Sequence, residues 1–209
     1  VVQALETLGH HVRKVDPQEP GWKLGSKTEV VFLALHGEYG EDGQVQKRLE
    51  QEGVPYTGTG IQGSRIAFDK ELTKYTFEKN DIPTPRWLML NDVREPAPAR
   101  LPAPWVLKPA RQGSSVGLQL VDEAGQWGAA LAAVCEHDDR ILCEEQIIGR
   151  EITVGILANE TLPIVEVIPK AGAYDYQNKY TPGATKYICP ANLSTEQTEA
   201  FGQLGLKAF

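Results

Sequence analysis

Between Val106 and Gly117 the chain reads VLKPARQGSSVG, an apolar run leading into Lys108, a proline and a loop rich in glycine and serine. Two chemistries suit those residue types. Gly113, Ser115 and Gly117 satisfy the GxSxG pattern, in which the central serine attacks an acyl carbon. That pattern needs a sharp turn into a helix and a late histidine as base. Here LQLV follows, alternating at period two as strands do, and the one histidine after Ser115 is His137, in the charged stretch EHDDR. The second chemistry is anion binding. A hairpin of small residues lets backbone N–H groups approach phosphate oxygens, and Lys108 at the strand end adds a point charge. It is not a Walker A loop, whose lysine directly follows its last glycine, because Lys108 precedes Gly113. A solvated surface hairpin with an ordinary lysine fits the same letters.

Three further stretches carry usable groups. LCEEQIIGRE sets Glu144 and Glu145 at the end of an apolar strand, followed by Ile147, Ile148 and Glu151. An apolar slot edged by a few aimed polar groups suits adenosine: backbone groups and Glu144 would read the adenine edge, and Glu151 would accept from ribose hydroxyls. An acidic hairpin in solvent is the alternative. Lys70, in DKELTK, reads either as a ligand lysine or as a helix-surface lysine paired with a nearby glutamate. AGAYDYQNKYTPGATKY holds Tyr174, Tyr176, Tyr180 and Tyr187 with Gly172 and Gly183 and little apolar periodicity. That is the profile of a lid closing on a ligand, or of a disordered surface loop. His36 stands where an apolar run meets a glycine loop, the usual ligand edge of an α/β unit, although a structural or solvent-exposed ring is the commoner fate of a lone histidine.

These groups need a frame. A chain of 209 residues allows one large domain or two small ones, with a sizeable core. With 41% hydrophobic and 23% charged residues the composition is globular, and a net charge of −7 argues against a nucleic-acid groove or membrane-surface patch while leaving room for one local basic pocket. Cys135, Cys143 and Cys189 form no CxxC pair and are odd in number, so neither a zinc site nor a disulfide framework is indicated and a reducing cytoplasm is expected. No apolar run nears the roughly 20 residues that span a bilayer, and no secretory leader pattern opens the chain.

The first part predicts a doubly wound α/β unit. Val1, Leu5 and Leu8, closed by Gly9, read as the tail of an amphipathic helix, and Val12 and Val15 mark a short strand. EVVFLAL, residues 29–35, reads as a strand buried on both faces, as in a parallel sheet. A glycine loop, HGEYGEDG, then leads into a helix capped by Asp42 with Val45 and Leu49 inward. VPYTGTG continues as strand and turn, and residues 66–80 read as one helix stopped before Pro83 and Pro85. Prolines at 96, 98, 102 and 104 mark a linker. Beyond it the strands WVLK, LQLV, ILCEE, EITVGIL and LPIVEVI surround one helix from Glu123 to Val134, with Ala124, Trp127, Leu131 and Val134 on one face. The last two strands are expected to pair antiparallel about Asn159-Glu160. Ser194 with Gln197 makes a capping box for a helix still running at Phe209. Both ends read as cut, and the division falls between residues 1–72 and 73–209.

Taken in order, ALHGEYGEDG, GVPYTGTG, DKELTK, VLKPARQGSSVG, EEQIIGREITVGIL and YDYQNKYTPGATKYICPA resemble the motifs of the D-alanine:D-alanine ligases, ATP-grasp enzymes of cell-wall synthesis, over nearly the whole chain. The resemblance implies an α/β fold in which an N-terminal doubly wound, pre-ATP-grasp domain precedes an incomplete α+β ATP-grasp domain. It implies ATP-dependent joining of two D-alanines through an acyl phosphate for peptidoglycan precursor synthesis. Mg²⁺ or Mn²⁺ would assist, in a cytoplasmic homodimer with no nucleic-acid or membrane partner. The serines then bind rather than attack.

By matching motif, the resemblance assigns Lys70 and Lys108 to ATP phosphates beneath the hairpin from Gly113 to Gly117, Ser115 included. Glu144, the backbone from Glu145 to Ile147, and Glu151 take adenine and ribose. Lysine often stands in the family where this chain has Glu145, a change tolerated by a main-chain contact. His36 and Glu41 lie beside the first D-alanine. Ser114 and Tyr180, hydrogen-bonded together, position the glutamate that receives that substrate's ammonium, while Lys179 reaches phosphate from the lid and Tyr174 helps to seat it. That glutamate is expected before residue 1. The arginine, a second oxyanion donor and the metal ligands are expected beyond Phe209, so the fragment alone is expected to be inactive. A serine hydrolase using Ser115 and a non-catalytic nucleotide-binding module are the competing readings.

On the lid, NKY, Asn178 to Tyr180, favours an amine over a hydroxy acid as second substrate, where the D-alanine:D-lactate ligases carry a different loop. Tyr180→Phe is therefore expected to weaken that choice, seen as a changed ratio of dipeptide to depsipeptide across pH. An unchanged ratio rules the assignment out.

Overall fold

The fold is that of a computed structural model describing residues 1–170, 172, 174 and 176–209. Its centre is built by alternation. In β2 (Trp105–Pro109), Trp105, Leu107 and Pro109 are buried while Val106 and Lys108 are only partly covered, the period-two pattern of a strand with one face on a core. β2 pairs antiparallel with β3 (Gln119–Val121) and with β4 (Ile141–Glu145), and β4 pairs with β1 (Trp87–Leu90), giving the order β1-β4-β2-β3. The helix α5 (Trp127–Cys135) lies against β2 and β3, and its Trp127, Leu131 and Val134 share one buried cluster with Trp105, Leu107, Val121, Ile141 and Cys143. Trp105 and Trp127 meet edge to face at 5.1 Å, and their indole N–H groups donate to the carbonyls of Leu101 (2.6 Å) and Glu95 (2.8 Å). Two large rings are thus buried with their polar handles satisfied. Residues 91–104 form no helix or strand, as the prolines require, yet those two bonds and the buried side chain of Leu101 pin the stretch to the core.

Strand register decides what the opposite face of the sheet presents. Lys108 stands opposite Leu142 and Val106 opposite Glu144, so Glu144 is one diagonal step from Lys108 on the face turned away from α5. On the N-terminal side lie α1 (Val2–Thr7), α2 (Gln44–Gln51), α3 (Ile61–Phe68) and α4 (Lys70–Lys79). After the main sheet, β5 (Glu151–Thr153), the short hairpin β6 (Ile156–Leu157) and β7 (Glu160–Thr161), β8 (Val165–Pro169), α6 (Tyr176–Tyr180) and β9 (Thr185–Ile188) follow, with β5, β8 and β9 forming a second antiparallel sheet. The last helix, α7 (Thr195–Ala208), starts on the expected capping box: Ser194 Oγ accepts from the Gln197 N–H at 3.2 Å and the Gln197 side chain accepts from the Ser194 N–H at 3.0 Å. Among the described residues no helix is long and apolar enough to cross a membrane.

Several expectations change. Residues 29–35 form no strand ladder with the described residues: Val31 meets Tyr56 through a single parallel bridge, and Val30 and Phe32 are exposed. A strand is buried on both faces only where layers cover both, and the described residues do not supply the second layer. Val12 and Val15 lie in a run without a ladder partner, and Tyr56 provides only that bridge. The helix expected over residues 66–80 is two helices, because Asp69 adopts φ −88°, ψ 107° and caps the second. Asp42 is not the N-cap of α2: Gly43 holds that position at φ 91°, and Asp42 accepts from the Gln44 N–H at 3.0 Å from one residue earlier. Val45 and Leu49 do face inward. The α5 region opens with a 3-10 turn at Ala124–Gln126, leaving Ala124 exposed. The hairpin expected about 159–160 turns one residue earlier, on Ala158 and Asn159, whose φ values of 51° and 65° are those a two-residue hairpin loop requires.

Leu107 lies fully buried beneath α5. Leu107→Ala is expected to cost about 2–5 kcal/mol, as transfer and cavity terms add in a close-packed core, read as a lower urea midpoint at unchanged slope.

Candidate functional site

The site begins where α4 begins. Asp69 interrupts the helical run because its carboxylate accepts from the N–H groups of Glu71 (3.0 Å) and Leu72 (3.2 Å), an N-cap that an aspartate makes better than it continues a helix. The turn brings Lys70 to the end of β2: its backbone N–H donates to the Ala110 carbonyl (3.0 Å) and its Nζ to the Gln112 carbonyl (2.5 Å). Arg140, just before β4, locks this corner. Its guanidinium pairs with Asp69 (3.0 Å) and Glu71, and its carbonyl accepts from the Ala110 N–H at 2.9 Å. Burial, with Lys108 nearby, pushes Lys70 down to about 8.

Lys108 leaves β2 on the face away from α5 and pairs with Glu144. Glu144 is only 4% exposed, and its other oxygen is taken by Lys74, from the middle of α4. Burial alone would raise this carboxyl, but Lys108 and Lys74 outweigh it and hold Glu144 below the usual carboxylate range. The sequence reading set Glu144 at the adenine edge and missed Lys74; the structure places the carboxylate between two ammonium groups. Glu145 is also engaged. Its N–H donates to the Arg86 carbonyl at 3.0 Å, its carboxylate accepts from the Arg86 N–H (2.9 Å) and Nε (2.7 Å), and the Gln146 N–H donates to Pro104 at 3.0 Å. The main-chain donors this segment could offer a ligand therefore start at Ile147, which is exposed beside the exposed Ile148. Glu151 is exposed at the start of β5.

Over the end of β2 lies the hairpin. Ser114 and Ser115 both have left-handed backbones, φ 53° and 60°, conformations that residues with a Cβ rarely adopt. Ser114 Oγ lies 3.0 Å from Tyr180 OH. Ser115 Oγ accepts from Lys179 Nζ at 2.8 Å and donates to the Tyr174 carbonyl at 3.4 Å. Lys179 Nζ stands 5.2 Å from the Tyr174 ring, and Tyr174 OH lies 2.9 Å from Tyr187 OH. Residues of the 171–187 stretch thus rest on the hairpin; Ala171, Ala173 and Asp175 of that stretch lie outside the described residues. No hydrogen bond joins the His137 ring to Ser115, whose hydroxyl is taken by Lys179 and the Tyr174 carbonyl. The ring instead crowds Gly117, where a Cβ would stand 2.5 Å from His137 Cδ2.

The glycine loop after residue 35 meets the hairpin from the N-terminal part of the chain. Glu41 accepts from the Gly37 N–H at 2.7 Å, and the same oxygen lies 3.3 Å from where a Cβ on Gly113 would stand. His36, in the same loop, is exposed. A neighbouring cleft of about 440 Å³ is lined by Asp42, Arg65, Asp69, Arg111 and Asp138, among others, and by none of Lys70, Lys108, Ser114, Ser115 or Glu144. Arg111 is committed there to Asp138 (2.5 Å) and Asp139 (2.6 Å). The described residues offer no group of three or more histidine, cysteine or carboxylate side chains that could hold a metal ion. What the arrangement can do is hold an anion: Lys70 donates to the Gln112 carbonyl at the foot of the hairpin with Lys108 nearby, Lys179 donates to Ser115 within it, and the serine hydroxyl that a hydrolase would need is thus bonded to an ammonium.

Comparison with known proteins converges on one family. A family model described as the D-ala D-ala ligase C-terminus matches residues 76–209, and one described as the D-ala D-ala ligase N-terminus matches residues 5–59. A D-alanine–D-alanine ligase of Methylacidiphilum infernorum is 40% identical over 209 residues, covering all of this chain and 68% of its own length. That of Syntrophotalea carbinolica is 42% identical over 195 residues, 92% of this chain and 64% of its own. A crystal structure of the Bacillus anthracis D-alanine–D-alanine ligase complexed with ATP superposes with a TM-score of 0.74 at 33% identity, over 88% of this chain and 60% of that one. The VanG D-Ala:D-Ser ligase of Enterococcus faecalis gives 0.74 at 28% identity, over 86% and 55%. The chain thus spans roughly two thirds of the curated relatives' length and less of the solved structures.

The lowered pKa of Lys70 has a testable sign. Its ammonium is charged below about 8 and neutral above. Affinity for ATP, whose phosphates no longer titrate there, is expected to hold steady to about pH 8 and to fall above it. Lys70→Arg, charged throughout, is expected to flatten that fall in a nucleotide titration.

Proposed function

The chain belongs to the D-alanine–D-alanine ligase family, and from that premise we propose that it forms the nucleotide-gripping and first-substrate parts of an ADP-forming ligase joining two D-alanines for the peptidoglycan precursor. In this reading residues 1–72 form the substrate-side domain and residues 73–209 the ATP-grasp domain. The observation that carries it is the gathering of cations about one serine-glycine hairpin: Lys70 bonded to the Gln112 carbonyl at its foot, Lys179 bonded to Ser115, and Lys108 on the strand that leads into it.

A carboxylate is a poor electrophile at neutral pH. Transfer of the γ-phosphoryl group of ATP to the carboxylate oxygen of the first D-alanine forms a C–O–P anhydride and releases ADP. The amine of the second D-alanine then attacks the acyl carbon, the C–O bond to phosphate breaks, and the amine's proton is lost. No protein ester forms. Lys70, Lys108 and Lys179 hold phosphate oxygens, with backbone N–H groups of the Gly113–Gly117 hairpin and Ser115 closing over them. Tyr174 seats the lid. Ile147 and Ile148 give an apolar platform for adenine, with the backbone beyond Glu145 and the carboxylate of Glu151 at its polar edges, while Glu144 holds Lys108. Glu41 and His36 face the first D-alanine, and Ser114 with Tyr180 orients the group that takes its ammonium. A divalent cation, Mg²⁺ or Mn²⁺, belongs to this reading as the charge partner of the phosphates. The described residues supply no carboxylate set for it, so no step here runs through it. The reading includes a cytoplasmic homodimer.

The test is ADP release by the enzyme carrying this chain, with D-alanine, L-alanine and D-lactate compared. D-alanine-dependent release is expected. Lys108→Ala is expected to reduce it by about a hundredfold or more, since a buried carboxylate loses a partner together with the phosphate's cation. Ser115→Ala should reduce it by roughly tenfold, the worth of one charge-assisted hydrogen bond. Abolition by Ser115→Ala with Lys108→Ala active would turn the reading to a hydrolase. ATP binding without D-alanine-dependent turnover would turn it to a binding module.

A further inference from the structure

None of the roles above uses Lys74. It stands one helical turn after Lys70 on α4, with only 6% of its side chain exposed. A buried ammonium is tolerated when each of its three donors is satisfied. Lys74 Nζ donates to Thr84 Oγ1 at 2.7 Å, to the Pro85 carbonyl at 3.0 Å and to one oxygen of Glu144. The other oxygen of Glu144 carries Lys108, whose side chain is 29% exposed. One carboxylate therefore joins a lysine sealed from solvent to a lysine open to a ligand.

Charge balance gives this a consequence. Lys74, Glu144 and Lys108 together carry one net positive charge, so Lys108 faces an incoming anion as part of a cationic cluster. Without Lys74 the remaining pair is neutral. Both carboxylate oxygens could then chelate Lys108, drawing its ammonium into an ion pair and away from phosphate. Resting on the nucleotide reading of this site, we infer that Lys74 is a positioning residue for ATP: by occupying one oxygen of Glu144 it keeps Lys108 extended and its cluster positive at the nucleotide site. The groups meeting at Glu144 come from three different elements, α4, β2 and β4, so the relay also fixes the helix carrying Lys70 against the strand carrying Lys108.

The experiment compares wild type, Lys74→Met, Thr84→Val and Lys108→Ala in the enzyme carrying this chain, with ATP affinity from direct titration, the KM of D-alanine at saturating ATP, and a melting curve for each. Lys74→Met is expected to weaken ATP binding about tenfold or more while the KM of D-alanine stays within about twofold, because the loss is confined to one electrostatic cluster. Thr84→Val, which keeps the charge but removes one anchor, should weaken ATP by a few-fold in the same selective way and serves if Lys74→Met does not fold. A folded Lys74→Met protein with unchanged ATP affinity, or an unchanged Thr84→Val where Lys74→Met does not fold, overturns the inference. So does a parallel rise in both constants, the mark of a merely structural lysine. Should Lys108→Ala leave ATP affinity intact, the nucleotide reading falls and takes this inference with it; with Lys108→Ala impaired and Lys74→Met silent, only the inference falls.

Discussion

Sealing a carboxylate from water raises its energy steeply unless cations and hydrogen-bond donors surround it, and Glu144 is the place where this protein meets that constraint. The strand register sets Glu144 diagonal to Lys108, which is the first partner; α4 must then approach closely enough to insert Lys74 as the second. Because Lys74 is itself buried, its remaining donors require Thr84 and the Pro85 carbonyl, which fixes the path of the chain from α4 into β1. A single desolvated charge thus ties together a helix, the turn after it and two adjacent strands. These same elements carry Lys70 and Lys108.

The break at Asp69 is what lets α4 make that approach. Residues 66–80 have the composition of one helix, and local propensity favours continuing it. Asp69 instead spends its carboxylate on the N–H groups of Glu71 and Leu72 and on Arg140, so the chain turns and Lys70 becomes the first helical residue rather than an interior one. The first residue of a helix has a backbone N–H that the helix does not use. Here it donates to the Ala110 carbonyl, next to the strand end from which the hairpin departs. An ion pair across more than seventy residues of sequence thereby determines a local conformation, which explains why periodicity over the same stretch reads as a single helix.

What the sequence made legible were features set within a few residues: the strand that ends at Lys108, the small-residue hairpin, the capping box at Ser194 and Gln197, and the inward face of the helix carrying Trp127, Leu131 and Val134. What it hid depends on distant partners. Nothing within the letters of EVVFLAL tells whether one layer or two will cover it, and the structure leaves Val30 and Phe32 exposed. β1 and β9 are four residues each and take their pairing from β4 and β8, so their own patterns are too short to announce them. Lys74 resembles any lysine on a helix surface until the fold brings Glu144 to it. A signal was present in the spacing of Lys70 and Lys74, which puts both on one helix face, but it gains meaning only once a buried acid is known to lie opposite.

The hairpin makes a different use of energy. Two successive serines in left-handed conformations are each disfavoured relative to glycine at the same φ. Their hydroxyls are what offset the strain: Ser114 meets Tyr180, and Ser115 bridges Lys179 and the Tyr174 carbonyl. Glycine would relax the loop but cut its links to the residues above it. At Gly117 the argument reverses, since His137 and Pro109 leave no room for a Cβ and φ is also left-handed. Serine where a hydroxyl must hold the covering segment, and glycine where the backbone must slip past a ring, together produce a loop whose shape is set before any ligand arrives. A pre-shaped loop loses less conformational entropy on binding an anion than a flexible lysine-rich one does, so the strain stored here favours tight closure on whatever the hairpin holds.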